Sequence, residues 1–212
     1  MARTKGVAPP RTGPEDDSEP RNLREVQQRA TRKKLIQATF RTFSQQGFHE
    51  ATINDIARVA GTSRATFYLH FASKSEALSA AWAELEQPRM IRYWQRLDDA
   101  APWSVDSVTG WIDGMLRVWE RSRKFSIASN EAVSIDAEMG RRWFGGIVAY
   151  LDHVPNVTRR LARDSADPRH RFVLLCTQMD RSAYMYLTGN FPGTRDQFVT
   201  ALAGFWCDAL LD

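Results

Sequence analysis

Residues 52–78 read TINDIARVAGTSRATFYLHFASKSEAL, and this stretch decides the fold. Thr52 is placed to cap a helix, with Asp55 three residues on as its capping-box partner. Ile53, Ile56, Ala57 and Ala60 follow at spacings of three and four and form one apolar stripe. Gly61 ends this helix, because glycine takes the left-handed conformation beyond a last turn without a Cβ clash. Thr62 and Ser63 make a turn. Ser63 is a natural N-cap for a second, short helix predicted over 64–71. Phe67 and Phe71 share its inward face. Arg64 and Tyr68 share another face, with Thr66 and Leu69 at its flanks. Ser73 then opens a third helix, with Glu76 as its capping partner.

A short helix pinned by aromatics on its back leaves a basic, hydroxyl-rich and aromatic front. Insertion into a DNA major groove requires such a set: a guanidinium for guanine edges or phosphate, hydroxyls for phosphate, an apolar group for a thymine methyl. The candidate DNA-contacting residues are Thr52, Ser63, Arg64, Thr66, Tyr68, Leu69, His70 and Lys74.

The run Thr52, Ile56-Ala57, Ala60-Gly61-Thr62-Ser63, Phe67-Tyr68, His70-Phe71, Lys74 and Leu78 resembles the DNA-binding motif of the TetR family of transcriptional regulators. The spacing is ungapped over 27 residues. Thr62 stands where the family usually has valine or isoleucine, and Ala65 where glycine or proline is frequent. Both border the DNA-facing surface. The resemblance implies that Tyr68, Thr52 and Lys74 hold phosphates, and that Arg64, Thr66, Leu69 and His70 face bases or nearby phosphates. It also implies an all-α homodimer that binds double-stranded DNA.

The chain has 212 residues and a formal net charge of +4, enough length for one domain or two small ones. Mild basicity permits nucleic-acid binding without requiring it. No apolar run reaches the roughly 20 residues that cross a bilayer, and no apolar signal-peptide core is present at the N-terminus. The expectation is a cytoplasmic protein with no membrane partner. Cys176 and Cys207 sit in apolar helical patterns and read as reduced thiols, with a redox switch or an inter-subunit disulfide as alternatives. The four histidines have no metal-ligand spacing. No metal and no cofactor are expected. No nucleophile-base pair or phosphate loop occurs at a recognisable spacing, which disfavours an enzyme.

Residues 1–23, with Pro9, Pro10, Pro14 and Pro20, are expected to form a disordered tail. Its Arg3, Lys5 and Arg11 either do nothing specific or add phosphate attraction. Residues 24–78 are expected to form the helix-turn-helix domain, beginning with a helix over 24–46. Val26, Leu35, Ile36, Phe40 and Phe43 give it a helical stripe, and Arg29, Arg32, Lys33 and Lys34 a basic patch. By resemblance, Phe40 and Phe43 would pack against Ile56 and Phe71. Residues 79–212 are expected to form a ligand-binding and dimerisation domain. The helix opened by Ser73 runs through Trp82 and Leu85, Pro88 should kink or break it, and Met90, Ile91, Trp94 and Leu97 carry the stripe on. Further helices are predicted over 105–122, 125–132, 135–163 with a break at Pro155, 168–189 and 194–211. The fold class is all-α, with about nine helices.

The second half is rich in aromatics on helical faces: Trp111, Met115 and Trp119; Trp143, Ile147 and Tyr150; Cys176, Met179, Ala183 and Tyr184; and Trp206. Such stripes usually form plain core. The surplus of tryptophan favours a pocket, since large rigid side chains from several helices leave gaps that small molecules fill, and Asp180 would be a polar group within it. The C-terminal half also resembles that of a mycobacterial TetR-family repressor that controls ethionamide activation, on the Trp143 to Tyr150 helix, the Asp180-Arg181-Ser182 step, Gly189 and Trp206. That resemblance implies a long apolar pocket and a hydrophobic small-molecule ligand. Tyr186, Phe198, Leu202 and Phe205 offer apolar surface for a protomer interface, or else belong to the chain's own core. The reading is a ligand-responsive repressor that binds a palindromic operator as a dimer. The alternative is a constitutive DNA-binding regulator, or nucleoid-type protein, with a solid core.

Overall fold

A computed structural model describes residues 18–163 and 167–211, with side chains from residue 23 on. Among the described residues there are eleven α-helical segments and no strand. They are α1 (Ser18–Gln46), α2 (Ile53–Ala60), α3 (Arg64–Tyr68), α4 (Lys74–Ala81), α5 (Gln87–Asp99), α6 (Val105–Arg121), α7 (Arg123–Ile135), α8 (Ala137–Tyr150), α9 (Pro155–Arg163), α10 (Pro168–Leu187) and α11 (Arg195–Leu210).

The first helix starts earlier than its apolar pattern. Residues 18–23, expected in the tail, belong to α1, and Pro20 falls within its opening turn, where a missing N–H costs little. The rest of the expected tail lies outside the described residues. Every side chain from 23 to 30 is exposed, so Val26 is not part of a buried stripe. Burial begins at Leu35 and Ile36, where α1 packs on α2, α4 and α7.

Pro88 does not break the helix that carries it. The turns between α4 and α5, Trp82–Glu86, widen into a π-helix, and the chain then continues into α5 with Pro88 near its start. Proline offers no N–H to the preceding turn and its ring crowds the carbonyl there. A π-turn absorbs both effects. Pro155 does divide its segment: a 3-10 turn at Leu151–His153 separates α8 from α9, and Pro155 is the first residue of α9. Asp98, almost fully buried, closes the start of α9 by accepting from Val157 N at 2.8 Å and Asn156 Nδ2 at 3.2 Å.

Two apolar clusters hold the chain together. The first gathers Leu35, Ile36, Phe43, Ile56, Phe67, Phe71 and Leu78, and it also takes in Phe125, Ala128 and Ala132 of α7. Phe43 shares this cluster with Ile56 and Phe71, and Phe40 packs against it; the Phe40 ring lies 4.6 Å from that of Phe125, and Phe43 stacks on Phe48 at 5.7 Å. The second cluster surrounds Trp94. Its ring centroid lies 4.8 Å from Trp111, 5.1 Å from Phe172, 5.4 Å from Trp206 and 5.9 Å from Tyr150.

Candidate DNA-reading face and apolar cavity

The capping chemistry of residues 52–78 fixes α2 and α3 locally. Thr52 Oγ1 accepts from Asp55 N at 3.1 Å, and Asp55 Oδ2 accepts in turn from Thr52 N at 3.3 Å. The hydrogen bonds from Thr52 and Arg58 hold the Asp55 carboxyl below its usual pKa. Gly61 has φ +68°, and the Thr62 N–H reaches back to Ala57 O at 2.9 Å. Ser63 Oγ accepts from Thr66 N at 3.0 Å, and Ser73 Oγ from Glu76 N at 3.0 Å. The helix α3 is a single short turn-and-a-half that ends at Tyr68 rather than Phe71.

Phe67 and Phe71 are buried beneath α3, which turns the opposite face to solvent. Ser63, Arg64, Tyr68 and Leu69 are exposed there, Leu69 at 78 %. Arg64 Nη2 donates to the Tyr68 hydroxyl oxygen at 3.3 Å, so guanidinium and phenol stand together at the tip. Thr66 and His70 are half-buried, and burial lowers the His70 pKa, with Arg32 adding to the effect. At pH 7 this imidazole is neutral. Lys74 is placed differently from the rest. Its ammonium donates to Phe48 O at 2.6 Å and Ala51 O at 3.1 Å, and it lies 4.4 Å from the Phe48 ring centre. It is turned toward the chain rather than presented beside Arg64.

The second half contains an apolar cavity bounded by Trp82, Met90, Trp94, Trp119, Trp143, Ile147, Tyr150, Cys176, Met179 and Asp180. Three of these, Trp82, Met90 and Trp94, were missed at the level of sequence. They lie on the long helical run shared with the DNA-reading half, and the π-turn rotates Trp82 into the wall. The structure does not bring Trp111, Met115, Ala183, Tyr184 or Trp206 to the cavity. Trp111 and Trp206 pack as a layer behind Trp94, Met115 and Ala183 are core, and the Tyr184 ring lies under the Arg181 guanidinium at 4.8 Å. The cavity encloses about 50 Å³. A water occupies roughly 10–15 Å³ on that measure, so the space holds a few waters.

Asp180 is the one carboxylate in the wall. Its Oδ1 accepts from Asn130 Nδ2 at 3.2 Å, and burial pushes its pKa up to about 6. Burial likewise raises the neighbouring Cys176 thiol and Tyr150 phenol, so both stay neutral. Among the described residues no group of histidine, cysteine and carboxylate side chains could hold a metal ion.

The expected interface residues divide. Phe198 and Leu202 are almost fully buried within the chain's own core, and Tyr186 stacks on Phe198 at 4.8 Å. Phe198 and Leu202 face inward because α11 turns that face toward α6 and α10, whereas Tyr186 is half-buried. Phe205 does lie outside, 56 % exposed. Leu174 and Met185, on α10, are the other large apolar groups exposed on these two helices, at 70 % and 41 %.

The geometry of residues 52–78 has a counterpart among known proteins. Residues 35–81 match the family described as bacterial regulatory proteins, tetR family. Residues 35–81 are thus similar to the N-terminal domain of that family. Over 112 residues it is 30 % identical to the HTH-type transcriptional regulator YvdT of Bacillus subtilis, covering 52 % of this chain and 56 % of YvdT. The chain spans between about a sixth and just over half of the length of the curated relatives it matches. The TetR-type fold extends further than the sequence match. A TetR regulator from Rhodococcus sp. RHA1 superposes with a TM-score of 0.62 at 18 % identity, covering 88 % of this chain and 97 % of that one. FadR from Bacillus subtilis, solved in complex with stearoyl-CoA, does so with a TM-score of 0.55 at 15 % identity, covering 85 % and 97 %. The relatives matched by sequence are described as transcriptional regulators. No helix among the described residues is long and apolar enough to cross a membrane.

Proposed function

We propose that this chain is a dimeric transcriptional repressor that binds a palindromic operator and is released by a hydrophobic small molecule. Residues 24–78 supply the DNA-reading part, and residues 79–212 the ligand-binding and dimerisation part. The observation that carries the reading is the position of Trp82. Its side chain lines the apolar cavity, its backbone forms the π-turn that leads out of α4, and its ring stacks on Phe125 at 6.4 Å. Phe125 in turn meets Phe40 of α1. A ligand that moved Trp82 would therefore move groups packed directly under the helix-turn-helix. Release requires only that the ligand prefer one conformer: a 100-fold preference corresponds to about 2.7 kcal/mol.

Each named side chain has a role. Arg64 and Tyr68 meet DNA first, with Ser63, Thr66 and Leu69 beside them. Two recognition helices, one per protomer, would occupy half-sites about one helical turn apart. Leu174, Met185 and Phe205 supply the protomer interface. The aromatic cavity favours an apolar ligand, and the binding of stearoyl-CoA by FadR supports that class.

The size of the cavity supports a second reading, a constitutive DNA-binding regulator with a solid core. Drug-sized ligands need roughly 300 Å³ or more, so the wall must open to admit one. Titration of the protein–operator complex with a panel of apolar compounds separates the two readings. The repressor reading expects a compound that releases the DNA from the native protein but not from Trp82→Ala. Release that is equal in both proteins contradicts the Trp82 route, and no release by any compound that binds favours the constitutive reading.

A further inference from the structure

A second cleft lies on the other side of Met90. It is formed between α5 and α6, measures about 580 Å³, and is lined by Arg89, Arg92, Arg96, Arg117 and Arg121. The three arginines of α5 recur at spacings of three and four and the two of α6 at four, so both helices turn a guanidinium row toward one groove. Only one carboxylate, Glu86, stands in the lining. It pairs with Arg89 at 3.1 Å, Arg117 pairs with Asp113 outside the lining, and Arg96 lies over the Tyr93 ring at 5.5 Å. Among the described residues, Arg92 and Arg121 have no carboxylate within ion-pair distance.

The floor of the cleft is built rather than incidental. Tyr93 donates its hydroxyl to Trp111 O at 2.9 Å, and Trp111 Nε1 donates back to Tyr93 O at 3.1 Å. The tyrosine crosses α6 at Gly114, where a Cβ would stand 2.0 Å from its hydroxyl oxygen. Only a residue without a side chain lets α5 and α6 lie this way. Burial raises the pKa of that phenol, Asp113 adds to the rise, and Arg96, Arg117 and Arg121 oppose it.

Five permanently charged planar donors around a groove suit phosphate oxygens, which arginine binds in pairs of parallel hydrogen bonds. Met90 lies in the wall of this cleft and in the wall of the aromatic cavity. We propose that the α5–α6 cleft binds the phosphorylated head of an amphiphile, whose apolar part passes Met90 into the tryptophan-lined cavity; this rests on the ligand reading above, in which the wall opens from about 50 Å³ to admit an apolar group. The site is independent of DNA binding, and its occupancy is measurable without an operator.

Calorimetric titration of the full chain, at low salt and without DNA, tests it with three probes. Inorganic pyrophosphate stands for the head, farnesol for the tail, and farnesyl pyrophosphate for both. The expected result is one pyrophosphate site per chain, weakened at least tenfold in Arg92→Ala/Arg121→Ala. The control variant Lys33→Ala/Lys34→Ala, which removes two exposed charges of α1, leaves the site intact. Farnesyl pyrophosphate binds at least tenfold more tightly than either part alone. Absence of saturable pyrophosphate binding overturns the proposal, and so does equal weakening by the control variant. If farnesyl pyrophosphate gains nothing over pyrophosphate, the passage beside Met90 is refuted. Competition by a random DNA duplex that disappears in Arg92→Ala/Arg121→Ala would assign the arginines to DNA instead.

Discussion

The Lys74 ammonium donates to the carbonyl oxygen of Phe48 at 2.6 Å, and so closes the loop between α1 and α2 from the far end of the helix-turn-helix. A second bond, to Ala51 O, places it one residue before the Thr52 cap. The loss of Lys74 should therefore be felt in folding. Lys74→Ala is expected to destabilise the chain by about 1–3 kcal/mol, the scale of charged hydrogen bonds left unmade. Chemical denaturation measures this. An unchanged midpoint, together with a DNA-binding salt slope reduced by about one unit, would instead make Lys74 a phosphate contact.

Asp180 provides a pH-dependent test. Its folded-state pKa of about 6 lies above the ordinary 3.8 because burial disfavours the anion. Between those values the folded state holds more protons than the unfolded one, so this group lowers stability as pH rises from about 4 to about 6. Above that range the full penalty remains, at most roughly 3 kcal/mol. Asp180→Asn keeps an acceptor for Asn130 and cannot ionise. It should be more stable than the native protein at neutral pH, with the difference vanishing near pH 4, the unfolded-state value. Parallel denaturation curves at both pH values check this, and a pH-independent difference would mean that the carboxyl is already well solvated.

The exposed apolar groups of α10 and α11 define the expected protomer contact. Leu174→Glu/Phe205→Glu should convert a dimer to a monomer by light scattering with little loss of monomer stability, since both side chains are more than half exposed. Operator affinity should fall at least about tenfold, because a single half-site then carries the binding. A native protein that is already monomeric at operator-binding concentrations would refute the arrangement.

Tyr93 and Gly114 make a steric prediction. Gly114→Ala sets a methyl group 2.0 Å from the Tyr93 hydroxyl oxygen, and overpacking of this kind costs about 1–3 kcal/mol. Tyr93→Phe should relieve much of that cost in the double variant. Thermal unfolding of the single and double variants reads the coupling, and additive losses would show that the contact is not the source.

The fold was legible because its signals are local. Thr52 with Asp55, Gly61, and Ser63 with Thr66 each act within a few residues, and the structure shows each of these hydrogen bonds or conformations. The helix α1 was read short because no apolar period marks its start, and its side chains from 23 to 30 are exposed. Which aromatics face the cavity was not legible. Trp94 and Trp111 both lie on buried faces, and only the tertiary arrangement sets one in the wall and the other behind it. The same holds for Phe198 and Phe205, which sit on one helix with opposite fates. The arginine cleft was hidden because its residues come from two helices that only the tertiary fold brings together. The carbonyl partners of Lys74 were not legible for a related reason, since they lie more than twenty residues earlier.

The most direct test of the central claim is fluorescence anisotropy of the purified protein on DNA from upstream of its own gene, against a random duplex at two salt concentrations. The account predicts specific binding in dimer units. Arg64→Ala should weaken it by about 1–3 kcal/mol with relaxed specificity, and Tyr68→Ala, as the loss of a phosphate contact, should weaken operator and random DNA alike while both variants stay folded. If Tyr68→Ala and Arg64→Ala bind like the native protein, the exposed face of α3 does not read DNA, and the account is wrong at its centre.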